Sequence, residues 1–392
     1  MKVKSKYSIS PSIFVATFFF IYSTLFLSGY IIFEWKRMSI VAIFSILLFM
    51  FGILFGTYIG ERVSIVFKHK VIVIREKFLF FSWLGLTICV FISMYLMLKK
   101  YGSISYIISY AFVIREEVIG GDGFIPFYLS YINSLNQAFF AISVAVFNRY
   151  AKKRYCLLFF MNIVFCDLLS FGRVGTLFAL FIIIGNIFFI KGFKIFNFKT
   201  FFYAIAAFFI LNISRIIRGG EAGFSTSILG LQPYLKFDMP VWTYGLLSNY
   251  VYFFSSPIAF SEYIDNSERF DSEFGQRLFT PIYNIVLRII GEQRINTIDP
   301  FVNIPYSTNI YTVLRDIYAD IGVFGVLPLA MIFGFVFGYL YNAKTVFRES
   351  IFLMLMSCLM FFPLYNPLSF GMFLISILFL FFISFIFRLN LK

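Results

Sequence analysis

The residues of this sequence most suited to chemistry are arginines that stand beside glycines at the ends of apolar stretches. Arg173 lies in the turn LSFGRVGT, and Arg215 and Arg218 belong to the segment SRIIRGGE. The spacing of the last two places both on one side of a helix end. Guanidinium groups stay charged and offer a planar fork of donors, which suits a pyrophosphate. The alternatives are an interfacial Arg173 that snorkels to water and a helix-ending cluster neutralised by Glu221.

A third group of candidate residues lies in the stretch NIYTVLRDIYADIGVFGV at 309–326. If this stretch is a helix, one of its faces carries the candidate residues Tyr311, Arg315 and Tyr318. The neighbouring face would carry Thr312, Asp316 and Asp320. Tyrosines and Asn309 can contact sugars, and a carboxylate such as Asp316 can take a proton from an attacking hydroxyl group. The alternative is that Arg315 and Asp316 pair elsewhere and that Asp320 marks the water boundary.

Several common catalytic motifs are missing from the sequence. It contains no P-loop, no GxGxxG, no HExxH, no GxSxG and no D-x-D pair. The single histidine, His69, stands in a basic loop, and the four cysteines lie in apolar stretches without CxxC spacing. These absences argue against ATP, zinc and metal-held nucleotide sugars. We therefore expect chemistry without a metal or a cofactor.

The composition predicts that a membrane bundle positions these residues. The chain is 60% hydrophobic and 13% charged, against roughly 45–50% and about 25% in soluble domains. Apolar stretches of about 20 residues are long enough to cross a bilayer. We predict one all-α polytopic domain over 1–392, with about ten spans at 11–33, 38–59, 78–98, 126–147, 156–171, 174–190, 200–214, 320–341, 351–366 and 370–387.

The distribution of basic residues predicts the orientation of the bundle. Lysines and arginines concentrate in the alternate segments 1–10, 60–77, 148–155, 191–199, 342–350 and 388–392. The positive-inside rule places these segments, and both termini, in the cytoplasm. The net charge of +14 is therefore explained by short loops that orient helices. It does not indicate a surface for nucleic acid.

Two external regions follow from this topology. Residues 99–125 form an interfacial loop in which an aromatic helix leads to Arg115 and a glycine turn. Residues 215–319 form a long extracytoplasmic loop, and loops of this length are usually functional. Within it, 241–263 is apolar enough to span, but a single crossing would reverse the charge pattern downstream. We expect an external or re-entrant segment, although a single crossing would give eleven spans and a crossing with a return through 280–290 would give twelve.

The three motifs together resemble the oligosaccharide repeat-unit polymerases, the O-antigen polymerase or Wzy-type family of bacterial polysaccharide pathways. The order of apolar spans resembles that family along most of the chain, and the motif-like matches are LSFGRVGT, SRIIRGGE and NIYTVLRDIYADIGVFGV. An arginine-to-glycine repeat found in some members is not matched, because the spacing from Arg218 to Gly230 is one residue too long.

The resemblance implies an inverting, metal-independent glycosyl transfer on the outer leaflet of the cytoplasmic membrane. Both substrates would be oligosaccharides on undecaprenyl pyrophosphate. The residues implied to stabilise the departing pyrophosphate are Arg218, Arg215, Arg173 and Arg315. The implied base is Asp316, or failing that Glu221. The implied substrate-binding residues are Arg115, Asn309, Tyr311, Tyr318 and Asp320. Whether a chain-length regulator binds stays open, as do the sugars and the type of polymer.

Other functions remain open at this point. A flippase or transporter of lipid-linked sugars would need charges inside helices that line a cavity, and Asp167 is the clear intramembrane example. A ligase that transfers finished glycan would share the architecture but resembles proteins with an external histidine. A purely structural membrane protein would not need a long loop rich in arginine, aspartate, tyrosine and asparagine.

Overall fold

The chain folds as a bundle of α-helices. The computed structural model describes residues 7–63, 74, 76–120, 124–195, 231–240, 243–266, 274–292, 295, 301–304, 306–342 and 345–389. Its helices are α1 (Pro11–Ile32), α2 (Ile40–Arg62), α3 (Glu76–Tyr101), α4 (Ile104–Ser109), α5 (Ala111–Gly120), α6 (Phe127–Tyr150), α7 (Arg154–Leu169), α8 (Val174–Lys191), α9 (Tyr244–Phe254), α10 (Ser256–Asn266), α11 (Thr280–Ile290), α12 (Val313–Ile321), α13 (Val323–Tyr341), α14 (Val346–Phe361) and α15 (Gly371–Leu389). Short 3-10 turns lie at Gly192–Ile195, Gln232–Tyr234 and Pro367–Ser369. The described strands, β1 (Val302–Asn303) and β2 (Ser307–Thr308), form a small antiparallel hairpin.

Six helices of the described residues are long and apolar enough to cross a membrane: α1, α2, α3, α6, α8 and α13. The chain is thus an all-α, multi-pass membrane protein. Helices also stand at the predicted spans 156–171, 351–366 and 370–387, as α7, α14 and α15. The span predicted at 200–214 lies outside the described residues. The total of about ten crossings therefore stays a prediction.

At one end of the bundle, several segments of the chain contact or lie near the buried Glu349, which is in the first turn of α14. Its carboxylate accepts hydrogen bonds from the hydroxyl group of Tyr7 (3.0 Å) and from Nε of Arg149 at the end of α6 (2.8 Å). Nearby, the hydroxyl group of Ser12 donates to Glu61 near the end of α2 (2.8 Å). The amide of Asn342, which follows α13, donates to the Glu61 carbonyl oxygen (3.2 Å). We call this the Glu349 end, and it collects described parts of the predicted cytoplasmic segments.

The opposite end gathers the helix termini around Arg315, and we call it the Arg315 end. There the backbone N–H of Ser39, at the start of α2, donates to Ser261 of α10 (2.8 Å). The backbone N–H of Val313, at the start of α12, donates to the carbonyl oxygen of Phe362 (2.9 Å). The described parts of the predicted external regions, 99–125 and 215–319, thus meet helix termini at this end.

Helices α2 and α13 run in the same direction and touch through their backbones. A Cβ atom on Gly56 would overlap the carbonyl oxygen of Met331, and one on Gly334 would overlap that of Ile53. The small residues therefore let the two helices approach closely, as expected for small-residue ladders in membranes. Both helices start at the Arg315 end and finish at the Glu349 end.

The centre of the bundle is formed by α6, α8 and α14, whose side chains are largely buried. Aromatic rings fill the space between them and α15. The rings of Phe178 and Phe373 stack with centroids 3.9 Å apart, and Phe361 lies against both. Helices α1, α2 and α3 expose more of their apolar side chains on the outside, as lipid-facing helices do.

The stretch predicted as the long loop contains much regular structure in its described part. Helices α9 and α10 cover the described part of the apolar segment 241–263, from Tyr244 onward, and meet at Ser255. Each has 11 residues, so each is about 16 Å long and neither alone crosses a core of about 30 Å. They pack on the start of α2 and the end of α1, where a second apolar core surrounds Trp35. In the region 99–125, where the sequence predicted one helix, the chain forms the two helices α4 and α5.

Candidate functional site

Arg173 is held by a tight turn between α7 and α8. The backbone N–H of Gly172 donates to the carbonyl oxygen of Asp167 (2.7 Å). The Asp167 carboxylate then accepts from the backbone N–H groups of Gly175 (3.2 Å) and Thr176 (2.5 Å), which are unpaired donors at the start of α8. The turn predicted around Arg173 is therefore present, and Asp167 caps the helix that follows it.

The left-handed backbone of this turn is not at a glycine. The residue with left-handed backbone is Phe171, at φ 48°, and this conformation is strained for a side chain of its size. Gly175 instead provides space, because an added Cβ atom would lie 3.0 Å from Asp167 Oδ1 and 3.0 Å from Gln137 Nε2.

Arg115 of α5 lies against the same turn. Its Nη1 donates to the carbonyl oxygen of Phe171 at 3.2 Å and lies 3.5 Å from that of Ser170. Burial lowers the pKa of Arg115, Tyr252 and Tyr365 raise it, and the positive charge of Arg173 lowers it. Because Arg115 donates to Phe171, two residues before Arg173, both guanidinium groups belong to this turn, and their like charges repel. The sequence had named both arginines, but in two separate regions.

The side chain of Arg173 is fixed by an aromatic ring rather than by a carboxylate. Its guanidinium carbon lies 4.1 Å from the ring centroid of Tyr252 in α9, a cation–π arrangement. Among the described residues, neither Arg173 nor Arg115 forms an ion pair. The Asp167 carboxylate lies on the same side of the turn as Arg115, but its oxygens accept from the start of α8. Two neighbouring, half-buried cations that form no ion pair are suited to an external anion. We call Arg115 and Arg173 the arginine pair.

Arg315 and Asp316 form an ion pair with each other. Nη1 of Arg315 lies 3.1 Å from Oδ1 of Asp316, and both residues are buried. The second carboxylate oxygen of Asp316 accepts from the amide of Asn366 (3.0 Å), which also donates to the carbonyl oxygen of Leu278 (3.1 Å). Each oxygen of Asp316 therefore has a protein donor, an arrangement typical of a positioning residue.

The tyrosines of this region surround Arg315, although the predicted helical face is only partly formed. Helix α12 begins at Val313 with Thr312 as its N-cap, so Tyr311 precedes the helix. The guanidinium carbon of Arg315 nevertheless lies 5.3 Å from the Tyr311 ring centroid and 5.1 Å from that of Tyr263. The Tyr318 ring lies edge-on to the Tyr263 ring.

Asp320 and Asn309 lie at the edges of this group. The carboxylate of Asp320 accepts from the backbone N–H groups of Arg277 (3.0 Å) and Leu278 (2.8 Å), so it anchors the turn before α11. Its side chain is buried, and it lies just before the membrane helix α13. Asn309 is half-buried between β2 and α12.

The segment after α14 joins the two groups of arginines. Tyr365 lies close enough to Arg115 to affect its pKa, and the next residue, Asn366, bonds to Asp316. Arg115, Arg173, Arg315 and Asp316 are thus brought to one end of the bundle. Arg215, Arg218 and Glu221 lie outside the described residues. Sequence reasoning missed Tyr252 and Tyr365, because nothing near them in the chain marks them.

A polar cavity of about 670 Å³ lies beside the arginine pair. One wall is the segment 167–175, which includes Asp167 and Ser170, and another is the first half of α6. The polar side chains that α6 contributes are Ser130, Asn133, Ser134, Asn136 and Gln137. Their spacing of three and four residues places them on one face of the helix, and this pattern could have predicted a polar face from the sequence. It was missed because the span 126–147 is apolar on average.

Within the part of the chain that the structure describes, no three histidine, cysteine, aspartate or glutamate side chains are grouped to hold a metal ion. Comparisons with protein-family models, with curated proteins and with solved structures find no match.

Proposed function

We propose that this protein is a glycosyltransferase that polymerises oligosaccharide repeat units carried on undecaprenyl pyrophosphate. The observation that carries the proposal is the arginine pair. Arg115 and Arg173 lie together at the Arg315 end, half-buried and without a carboxylate partner among the described residues. A pyrophosphate at a membrane boundary would meet two guanidinium groups there, each with a planar set of donors.

In the proposed reaction, a sugar hydroxyl group of one lipid-linked repeat unit attacks the anomeric carbon of the growing chain on a second carrier. A new C–O bond forms on one face of that carbon. The bond to the pyrophosphate oxygen breaks on the other face, and its electron pair leaves with undecaprenyl pyrophosphate. Charge builds up on the leaving oxygen, so arginines already in position lower the barrier. Holding the two glycans together lowers it further.

The proton of the attacking hydroxyl group must pass to a base. Asp316 and Glu221 are the predicted candidates. Asp316 already accepts hydrogen bonds on both oxygens, so its geometry favours a positioning role for Arg315. Glu221 lies beyond the described residues and is our preferred base. Arg215 and Arg218 would complete the clamp around the pyrophosphate.

We further propose that the Glu349 end faces the cytoplasm and the Arg315 end faces outward from a bacterial cytoplasmic membrane. The positive-inside rule supports this orientation, because the described parts of the basic segments meet at the Glu349 end. Lys191, for example, ends α8 near that end. The proposed topology has about ten spans, both termini inside and a largely external stretch at 215–319.

The proposal is tested in a strain that lacks this chain. We expect single repeat units on the outer leaflet and no long glycan, with long glycan restored by the wild-type chain but not by Arg173→Ala. Arg62→Ala is the matched control, since Arg62 also lies over a tyrosine ring, 3.9 Å from Tyr58, but near the Glu349 end. Repeat units trapped on the cytoplasmic leaflet would indicate a flippase instead. Finished polymer that is not transferred to its acceptor would indicate a ligase.

A further inference from the structure

The cavity beside the arginine pair contains two buried acceptors that lack donors. Among the described residues, the side-chain oxygens of Asn133 and Gln137 are buried and accept no hydrogen bond. The two residues are one helical turn apart on α6, and both line the cavity. A buried polar atom without a partner is unfavourable by roughly 1–3 kcal/mol. Two of them in one cavity therefore indicate a ligand or water that donates.

The orientation of both amides is fixed by their other ends. Nε2 of Gln137 donates to the carbonyl oxygen of Gly175 (2.9 Å), which can only accept. Nδ2 of Asn133 donates to Oγ of Ser93 (2.8 Å), while the Ser93 hydroxyl group itself donates to the carbonyl oxygen of Cys89 (2.9 Å). Turning the Gln137 amide over would set two acceptors against each other, and turning the Asn133 amide over would require the Ser93 hydroxyl group to give up its hydrogen bond to Cys89. In the described part of the chain, the side-chain oxygens of both residues are therefore the atoms that lack a hydrogen-bond donor.

Asn136, between them on the same helix, shows the contrast. Its oxygen accepts from Nδ2 of Asn162 (3.1 Å), and its nitrogen donates to the carbonyl oxygen of Asn133 (3.0 Å). Both groups of this amide are used within the protein. The two unsatisfied oxygens are thus specific to Asn133 and Gln137 and are not a general feature of amides on α6.

The rest of the cavity defines what kind of ligand it fits. The Asp167 carboxylate and two acceptor oxygens disfavour an anion, and Arg288 on the lining disfavours a cation. Phe124, Tyr131 and Phe370 supply apolar or aromatic surface. A neutral molecule with hydroxyl donors and apolar C–H faces matches this lining. At about 670 Å³, the cavity is within the roughly 300–1,000 Å³ of small-molecule sites.

We propose that this cavity binds a sugar residue of the lipid-linked repeat unit, with sugar hydroxyl groups donating to Asn133 and Gln137. The identity of the glycan rests on the proposed function. Ser170 connects the two sites, because it lines the cavity while its carbonyl oxygen faces Arg115. A pyrophosphate on the arginine pair and a sugar in the cavity can therefore belong to one molecule.

The test uses two separate probes on the full-length protein in lipid nanodiscs. One probe is the oligosaccharide released by mild acid from the lipid-linked repeat units of the deletion strain, followed by saturation-transfer NMR. The other is undecaprenyl pyrophosphate without sugar. We expect Asn133→Leu to weaken oligosaccharide binding about five- to tenfold, the effect of one lost hydrogen bond to a buried acceptor. Binding of undecaprenyl pyrophosphate should not change.

Two further variants separate the cavity from the fold. Ser143→Ala removes a buried hydroxyl group of the same helix, α6, which donates to the Phe140 carbonyl oxygen (2.7 Å) away from the cavity, so it should bind the oligosaccharide as the wild type does. Ser130→Phe adds bulk at an exposed position of the lining and should abolish oligosaccharide binding. Arg173→Ala should show the reverse pattern, with undecaprenyl pyrophosphate binding lost and oligosaccharide binding kept.

Each outcome has one meaning. Oligosaccharide binding that is absent in the wild type, or unaffected by Asn133→Leu and Ser130→Phe, overturns the sugar site and leaves a water-filled cavity. Equal weakening of both probes by these variants overturns it too, because the change would then be general. Oligosaccharide binding that depends on Asn133, without any binding of undecaprenyl pyrophosphate, supports the sugar site and contradicts the proposed function.

Discussion

The carboxylate of Asp167 accepts a 2.5 Å hydrogen bond from the backbone N–H of Thr176, so the last turn of α7 caps the first turn of α8. Arg173 is the residue just before α8, and its position therefore depends on this cap. The same carboxylate lines the polar cavity. The buried side chain of Asp167 thus lies between the proposed pyrophosphate and sugar sites and fixes the backbone that separates them.

We predict that Asp167→Ala destabilises the protein and impairs polymerisation together. Loss of an N-cap typically lowers the free energy of unfolding by about 0.5–2 kcal/mol, and Arg173 would lose its fixed position. Thermal unfolding of the purified protein and the glycan length in the complemented strain measure the two effects. Asp167→Asn, which keeps one acceptor oxygen, should show smaller losses in both. A variant with normal stability and normal polymer would contradict the role of the cap.

Tyr252 is predicted to position Arg173 through its ring. Tyr252→Phe keeps the ring and should preserve polymerisation, whereas Tyr252→Ala should reduce the rate about two- to fivefold, as expected for loss of a cation–π contact of about 0.5–1 kcal/mol. The rate is measured with purified lipid-linked repeat units. If both variants reduce the rate equally, the hydroxyl group rather than the ring is important. If neither variant reduces the rate, the cation–π contact has no role in positioning Arg173.

The apolar pattern predicted most of the helices, and the glycine–arginine motif predicted the turn at Arg173. Contacts between distant segments could not be predicted in the same way. Tyr252 reaches Arg173 from α9, and Asn366 reaches Asp316 from beyond α14. Both depend on the packing of the whole bundle, which no local pattern encodes. The capping role of Asp167 was also missed, because its acceptor groups are used only once the chain turns back on itself.

The amides of α6 illustrate a different limit. Asn133 and Gln137 lie in a span whose average composition is apolar, and hydropathy alone treats them as tolerated exceptions. Their spacing was visible in the sequence, but their significance depends on which donors surround them. That information comes from Ser93 in α3 and Gly175 in α8. Similarly, Tyr311 was expected inside a helix. The helix instead begins at Val313, because the hydroxyl group of Thr312 accepts a hydrogen bond from the backbone N–H of Leu314 and caps the helix.

The buried pair of Arg315 and Asp316 should be essential for stability. Asp316→Ala leaves a buried guanidinium group without this carboxylate, and breaking a buried pair in this way lowers the free energy of unfolding by about 3–5 kcal/mol. Lys36→Ala is the control, because it breaks the more exposed pair with Glu262 (2.8 Å), which is expected to contribute about 0–1 kcal/mol. Unfolding temperatures in detergent compare the two. Similar losses in both variants would contradict the structural role of Asp316.

The close approach of α2 and α13 gives the sharpest prediction about the fold. At Gly56, an added methyl group would overlap the backbone of Met331 and Phe335, and backbone cannot move aside as a flexible side chain can. Gly56→Ala should therefore push the two helices apart and lower the free energy of unfolding by about 1–3 kcal/mol, as overpacking does.

Gly85 provides the matched control for this prediction. It also lies within a membrane helix, α3, but a Cβ atom there would meet nothing within 4 Å. Because alanine favours helix formation over glycine by about 1 kcal/mol, Gly85→Ala should leave stability unchanged or raise it slightly. Thermal unfolding of both variants in the same detergent makes the comparison. If Gly56→Ala is as stable as Gly85→Ala, the two helices do not touch through their backbones, and the parallel packing that supports the proposed topology is wrong.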